Sequence, residues 1–182
     1  MSLIIILGLP GTGKSYLAAQ ILKSISNPPI YLSTDKIRRA LFDFSHHQYV
    51  PFGDKLYTQE KRDLVYNALY LVVEILLSQR LSVMVDGTFY AQTKRQPLLK
   101  ICQRLNQSYF IIKTTSSEDL VKQRIQKRKS QNDNDSDADF NIYLEIKERF
   151  DPITAPYLEI DTGNELSTIL KEVTLYIDNF QS

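Results

Sequence analysis

Residues 8–15, GLPGTGKS, set Gly8, Gly13, Lys14 and Ser15 at the spacing G-x-x-x-x-G-K-[ST]. That spacing lets a chain fold tightly enough to turn several backbone N–H groups inward, with no side chain where a ligand must approach. The product is an anion cradle, and its fit is to a phosphate chain. A helix beginning near Gly13 adds its positive end. Lys14 supplies a full charge for β- and γ-phosphates, and the Ser15 hydroxyl can ligate Mg²⁺. Leu9, Pro10, Gly11 and Thr12 complete the loop and Tyr16 follows it, so 8–16 are the expected nucleotide contacts. An empty strand-to-helix turn is the alternative. The stiff apolar run before the loop and the helical pattern after it weigh against that.

Two further carboxylates stand where such a site needs them. VMVDGTF, residues 83–89, reads as a strand ending in Asp86. In a doubly wound sheet, ligands collect at the carboxyl ends of strands, which puts Asp86 beside the phosphates as a second Mg²⁺ residue. A plain Asp-Gly turn is the competing interpretation. In YLSTDKIRRALF, residues 31–42, Asp35 follows the second strand and Arg38 lies one helical turn later on the same face. Asp35 can simply cap a helix. It can also accept the proton of an attacking hydroxyl while Arg38 holds an anionic group of the acceptor.

The elements that must position these residues alternate along the chain. Short runs rich in Ile, Val, Tyr and Phe at 3–7, 30–33, 82–85, 109–113 and 157–160 predict strands. Helical periodicity predicts helices over 15–25, 58–79, 94–105, 118–129 and 165–180. Such alternation implies a parallel sheet with helices on both faces. At 182 residues, 43% hydrophobic and 24% charged, the chain is expected to form a single domain over 1–182. A net charge of +1 does not describe a protein built mainly to hold a polyanion. The lone Cys102, among apolar helical neighbours, is expected buried and reduced, which fits a cytoplasmic protein. The apolar start is too short for a membrane span or signal peptide, and the greasy stretch 69–77 reads as a buried helix.

Nearly the whole chain resembles the P-loop kinases that include phage polynucleotide kinase, the zeta-type toxins and chloramphenicol phosphotransferase. Four places carry the likeness: GLPGTGKS, STDKIR, VMVDGT and RIQKRKSQNDNDSDAD. The resemblance implies an α/β/α three-layer P-loop NTPase fold, with a five-stranded parallel sheet whose central strand feeds the phosphate loop. It implies ATP and Mg²⁺ as cofactors, Asp35 as general base and Arg38 on the acceptor. It also implies a helical lid, about 118–140, whose Arg124 and Arg128 reach the triphosphate. Four residues apart on a helix, these two arginines share a face. Placed over a transferring phosphoryl group they neutralise charge spreading over its equatorial oxygens. Lys14, Asp35, Arg38, Arg124 and Arg128 are thus the expected catalytic set, and Ser15 and Asp86 the metal pair.

The acceptor stays open. It would be enclosed by an irregular insertion at 43–57 and by residues 88–94, where Tyr49, Phe52, Tyr57, Phe89 and Tyr90 offer rings for stacking or for roofing a small pocket. A hydroxyl of a small metabolite or nucleotide-like molecule is favoured. A polynucleotide 5′-hydroxyl and an acceptor-free nucleotide switch are the alternatives. The acidic run at 133–137 lacks the Gly and Glu of an EF-hand, so calcium is rejected. Asp135, Ser136, Asp137 and Ala138 instead partly match a signature of the family resembled, which would cap the next helix. His46 and His47, being adjacent, are poorly placed to chelate one metal.

Overall fold

Leucine and isoleucine fill β1 (Ser2–Gly8), and all seven of its residues are buried, as a central parallel strand demands. The computed structural model of the protein describes residues 1–42, 58–130 and 139–178. After β1 come α1 (Lys14–Ser24), β2 (Ile30–Ser33), α2 (Thr34–Phe42), α3 (Gln59–Ser78), β3 (Val83–Asp86) and α4 (Gln92–Arg104). β4 (Ser108–Thr115), α5 (Glu118–Ser130), α6 (Phe140–Glu148), β5 (Leu158–Asp161) and α7 (Leu166–Asp178) complete the order. All strand pairs are parallel and the sheet runs β2-β3-β1-β4-β5. The central strand is the one that feeds the phosphate loop, as expected.

Alternation along β1 divides the core into two layers. Leu3, Ile5 and Leu7 face Leu69, Val73 and Leu77 of α3 and Leu98 and Ile101 of α4. Ile4 and Ile6 face Leu17 and Ile21 of α1 and Ile169 and Val173 of α7. A third, smaller cluster joins Val121 and Ile125 of α5 to Tyr143 of α6, with Leu9 packed beneath. The phosphate loop is therefore seated under the base of the expected lid.

Each predicted strand and helix overlaps an observed element, and Cys102 is buried. Two details differ. The apolar stretch 69–77 is not buried all round: Leu71 is 60% and Ile75 51% exposed, because a helix lying on a sheet turns only one side to it. The helix after the acidic run is α6, and its N-cap is Asp139, which accepts from Ile142 N at 3.0 Å. The run at 131–138, like the insertion 43–57 with His46 and His47, lies outside the described residues. Among the described residues no helix is long and apolar enough to cross a membrane.

Candidate active site

The loop between β1 and α1 depends on missing side chains. Gly8 has φ +151°, and a Cβ there would lie 2.5 Å from the Thr114 carbonyl oxygen on β4. Gly13 caps α1 in the left-handed region at φ +82°, with Thr162 Oγ1 3.1 Å from where its Cβ would be. The side chains of Leu9, Pro10 and Thr12 serve the loop's own packing. Leu9 lies under α5 and α6, Pro10 is buried, and Thr12 Oγ1 donates to Leu9 O at 2.7 Å and lies 2.7 Å from Thr114 Oγ1. Lys14 Nζ donates to Leu9 O at 2.9 Å, so the ammonium is folded back on the loop. Burial lowers its pKa, Asp86 and Asp35 oppose that shift, and Arg128 adds to it. A cation this poorly solvated gains by meeting anionic oxygen.

Asp86 ends β3 in register with Ile6 of β1 and Ser33 of β2, and is 3% exposed. Tyr31 Oη donates to Asp86 Oδ2 at 2.6 Å, and the Ser15 hydroxyl stands near enough to the same carboxylate to favour its charged form. Burial pushes the Asp86 pKa up, while Lys14 and the two hydroxyls pull it down. A hydroxyl and a carboxylate beside a phosphate cradle suit Mg²⁺, a hard ion that takes one or two carboxylates and completes its shell with phosphate oxygens and water.

Asp35 sits inside the first turn of α2 rather than ahead of it, and its carboxylate pairs with Arg38 one turn on. The Arg38 side chain is 14% exposed and that of Asp35 39%. Asp35 lines a cavity of about 770 Å³ together with Gly11, Gly13, Lys14, Ser15, Tyr16, Arg124 and Arg128. Three segments distant in sequence thus turn their candidate residues to one space. Tyr16, 57% exposed, stands at its edge.

Arg124 is also engaged with protein. Its Nη1 donates to Thr162 Oγ1 at 2.8 Å and its Nη2 to Thr162 O at 2.9 Å, while Thr162 Oγ1 donates to Thr12 O at 2.9 Å. One threonine after β5 therefore joins α5 to the phosphate loop. Nothing in the helical spacing of Arg124 points to it; the signal was its place at the carboxyl edge of the fifth strand.

Of the rings expected around an acceptor, Tyr49, Phe52 and Tyr57 lie outside the described residues. Phe89 offers no stacking surface: it is fully buried, with its ring centroid 5.4 Å from that of Tyr66. The turn carrying it is held by Arg95, 1% exposed and unremarked in the sequence. Arg95 donates from Nε to Gln92 Oε1, from Nη1 to the carbonyls of Phe89 and Tyr90, and from Nη2 to those of Asp151 and Pro152, all at 2.8–3.1 Å. Every donor of the guanidinium has a partner.

The family model described as an AAA domain, AAA_33, matches residues 3–153. Among solved structures, the chain is similar to Mycobacterium tuberculosis APS kinase CysC in complex with AMPPNP and APS, at 17% identity and a TM-score of 0.68, covering 97% of each chain. It is similar to Chaetomium thermophilum Kti12 in complex with ADP-AlF3, at 14% identity and TM-score 0.69, over 96% of this chain and 98% of that one. A gluconokinase from Sinorhizobium meliloti 1021 matches at 16% identity and TM-score 0.64, over 100% of this chain and 97% of that one. At such identities the likeness is one of fold.

Proposed function

The chain belongs to the AAA_33 family and has the P-loop kinase-like fold, and from that premise we propose that it is a phosphotransferase moving the γ-phosphate of ATP to a hydroxyl group, with the whole chain, 1–182, as one catalytic domain. One observation carries the proposal: the Asp35 carboxylate lines the same cavity as Lys14 and the phosphate loop. A nucleotide switch has no use for a carboxylate facing its phosphates from the far side of the sheet edge. A kinase needs a base there.

In this scheme the loop amides of 8–13 and Lys14 hold the β- and γ-phosphates, and Tyr16 and Arg124 border the rest of the nucleotide. Ser15 and Asp86 would hold Mg²⁺, which would supply neutralising charge for the phosphates. Asp35 accepts the proton of the acceptor hydroxyl as its oxygen attacks phosphorus. Arg38, on the same turn, would hold an anionic group of the acceptor. Arg124 and Arg128 face the cavity from the lid helix and offset the charge that builds on the transferring group. A small metabolite or nucleotide-like acceptor is preferred over a polynucleotide, since a net charge of +1 gives little general attraction for a polyanion. The nucleotides named in the CysC and Kti12 complexes support an adenine nucleotide as donor.

The test is a screen of hydroxyl acceptors, 5′-hydroxyl oligonucleotides included, for label received from γ-labelled ATP. We expect Asp35→Asn to lower transfer by about 100- to 10,000-fold and to leave ATP affinity by calorimetry unchanged. Transfer that survives the substitution, or no heat from ATP with Mg²⁺, defeats the assignment.

A further inference from the structure

Asp86 and Ser15 are joined by a third oxygen that the proposed mechanism does not use. Tyr31 lies on β2 opposite Met84, two residues short of the Ser33–Asp86 pair at the strand ends. Residues 31 and 33 of one strand share a face. Ser33 is small, so the Tyr31 ring can lean forward along the strand, and a phenol is long enough to cover the two-residue rise of about 6.6 Å. The hydroxyl arrives at the level of Asp86, donating to Oδ2 at 2.6 Å, and the Ser15 and Ser33 hydroxyls stand near enough to the same phenol to offset part of the rise that burial and Asp86 impose on its pKa. The ring packs against the α1 and α7 layer of the core, and Lys36 Nζ stands 5.1 Å from its centroid. The phenol is thereby fixed from below, from the side and at its tip.

We infer that Tyr31 is the positioning residue of the Mg²⁺ pair, orienting the Asp86 carboxylate and the Ser15 hydroxyl toward one another before any ion arrives. The inference rests on the phosphotransfer assignment of Ser15 and Asp86. A free carboxylate turns about its terminal bond, and a serine hydroxyl about its Cβ. A donor locked onto Oδ2 leaves the other carboxylate oxygen as the one available to an ion or its water. Mg²⁺ tolerates little departure from octahedral geometry, so ligands set in advance count for more with it than with a larger ion. Partners behind a ligand that fix its orientation typically change metal affinity by about 10- to 100-fold.

Tyr31→Phe removes the hydroxyl and keeps the ring. The experiment titrates Mn²⁺ into the full chain saturated with ADP, following free Mn²⁺ by electron paramagnetic resonance, and measures ADP affinity separately in EDTA. We expect Mn²⁺ affinity to fall about tenfold or more, with metal-free ADP affinity held within about twofold. Mn²⁺ affinity unchanged in Tyr31→Phe overturns the inference. So does an equal fall in metal-free ADP affinity, which would mark Tyr31 as packing for the loop as a whole. Asp86→Asn in the same titration separates the two levels. If Asp86→Asn weakens Mn²⁺ and Tyr31→Phe does not, Tyr31 alone is misassigned. If Asp86→Asn has no effect, the metal pair falls, and the role of Tyr31 with it.

Discussion

The loop after β1 and the loop after β3 leave neighbouring strands at the same edge of the sheet, yet they are held still by opposite means. The first is rigid because atoms are absent. At Gly8 and Gly13 the backbone takes positive φ and presses against Thr114 and Thr162 where a Cβ would stand. The second is rigid because one long side chain is present: Arg95 reaches from α4 to four carbonyls, two of them on residues 151 and 152. An anion needs bare amides, and a Cβ projecting from Gly8 or Gly13 would meet the neighbouring strand ends instead of leaving the backbone its turn. The second loop carries no cradle of its own, and its backbone is steadied from behind.

The largest effect expected from this contrast is at Arg95. Arg95→Met strips donors from four carbonyls in a buried setting, a loss of about 4 kcal/mol in denaturant titration. Lysine should not rescue it, since three donors on a single nitrogen cannot serve carbonyls on two separated segments. ADP affinity should stay within about twofold, because none of the Arg95 partners belongs to residues 8–16. A tenfold loss of ADP binding in a folded Arg95→Met protein would show that the two loops are one mechanical unit, and the contrast would be wrong.

Gly8→Ala is expected to act the other way. Its Cβ meets the Thr114 carbonyl oxygen as closely as the Thr114 hydroxyl, and its φ is one that L-residues seldom adopt. Strain and overpacking together set a cost of about 3 kcal/mol. Here ADP affinity, measured by calorimetry, should fall at least tenfold with the stability. A protein that keeps its ADP affinity would mean that the loop's shape is set elsewhere than at its glycines.

These two loops also mark what the sequence disclosed and what it kept. Gly8, Gly13, Lys14 and Ser15 were legible because the property that matters, a backbone without Cβ followed by one charge and one hydroxyl, is written in adjacent residues. Asp35 and Arg38 were legible for the same reason, since one helical turn fixes their distance. Asp86 followed from the end of a strand. Arg95 was silent: its partners Asp151 and Pro152 lie 56 and 57 residues away, and no local pattern distinguishes it from the solvated arginines of a polar helix. Phe89 misled because an aromatic just past an active-site strand reads as a ligand surface, whereas at φ +44° its ring turns under the sheet edge onto Tyr66. Fold class came from alternation, which is a property of many residues and survives errors at a few. Which of two polar residues faces the cavity depends on single long-range contacts.

Thr162 is a place where the phosphate loop does borrow a distant support, as Thr12 also does from Thr114, and so it measures how complete the contrast is. Its hydroxyl donates to Thr12 O and accepts from Arg124, while its carbonyl takes the second Arg124 bond. Thr162→Val keeps the shape and the carbonyl, so the arginine retains one of its two bonds to Thr162 and the loop loses one donor. The expected cost is about 1 kcal/mol, close to that of a single hydrogen bond and well under that of Arg95→Met. ADP affinity should fall by no more than about threefold, since Gly8 and Gly13 still dictate the turn. If Thr162→Val instead destabilises the protein as much as Arg95→Met does, the phosphate loop is also held from behind, by the lid arginine acting through Thr162, and its glycines permit the fold of the loop without enforcing it.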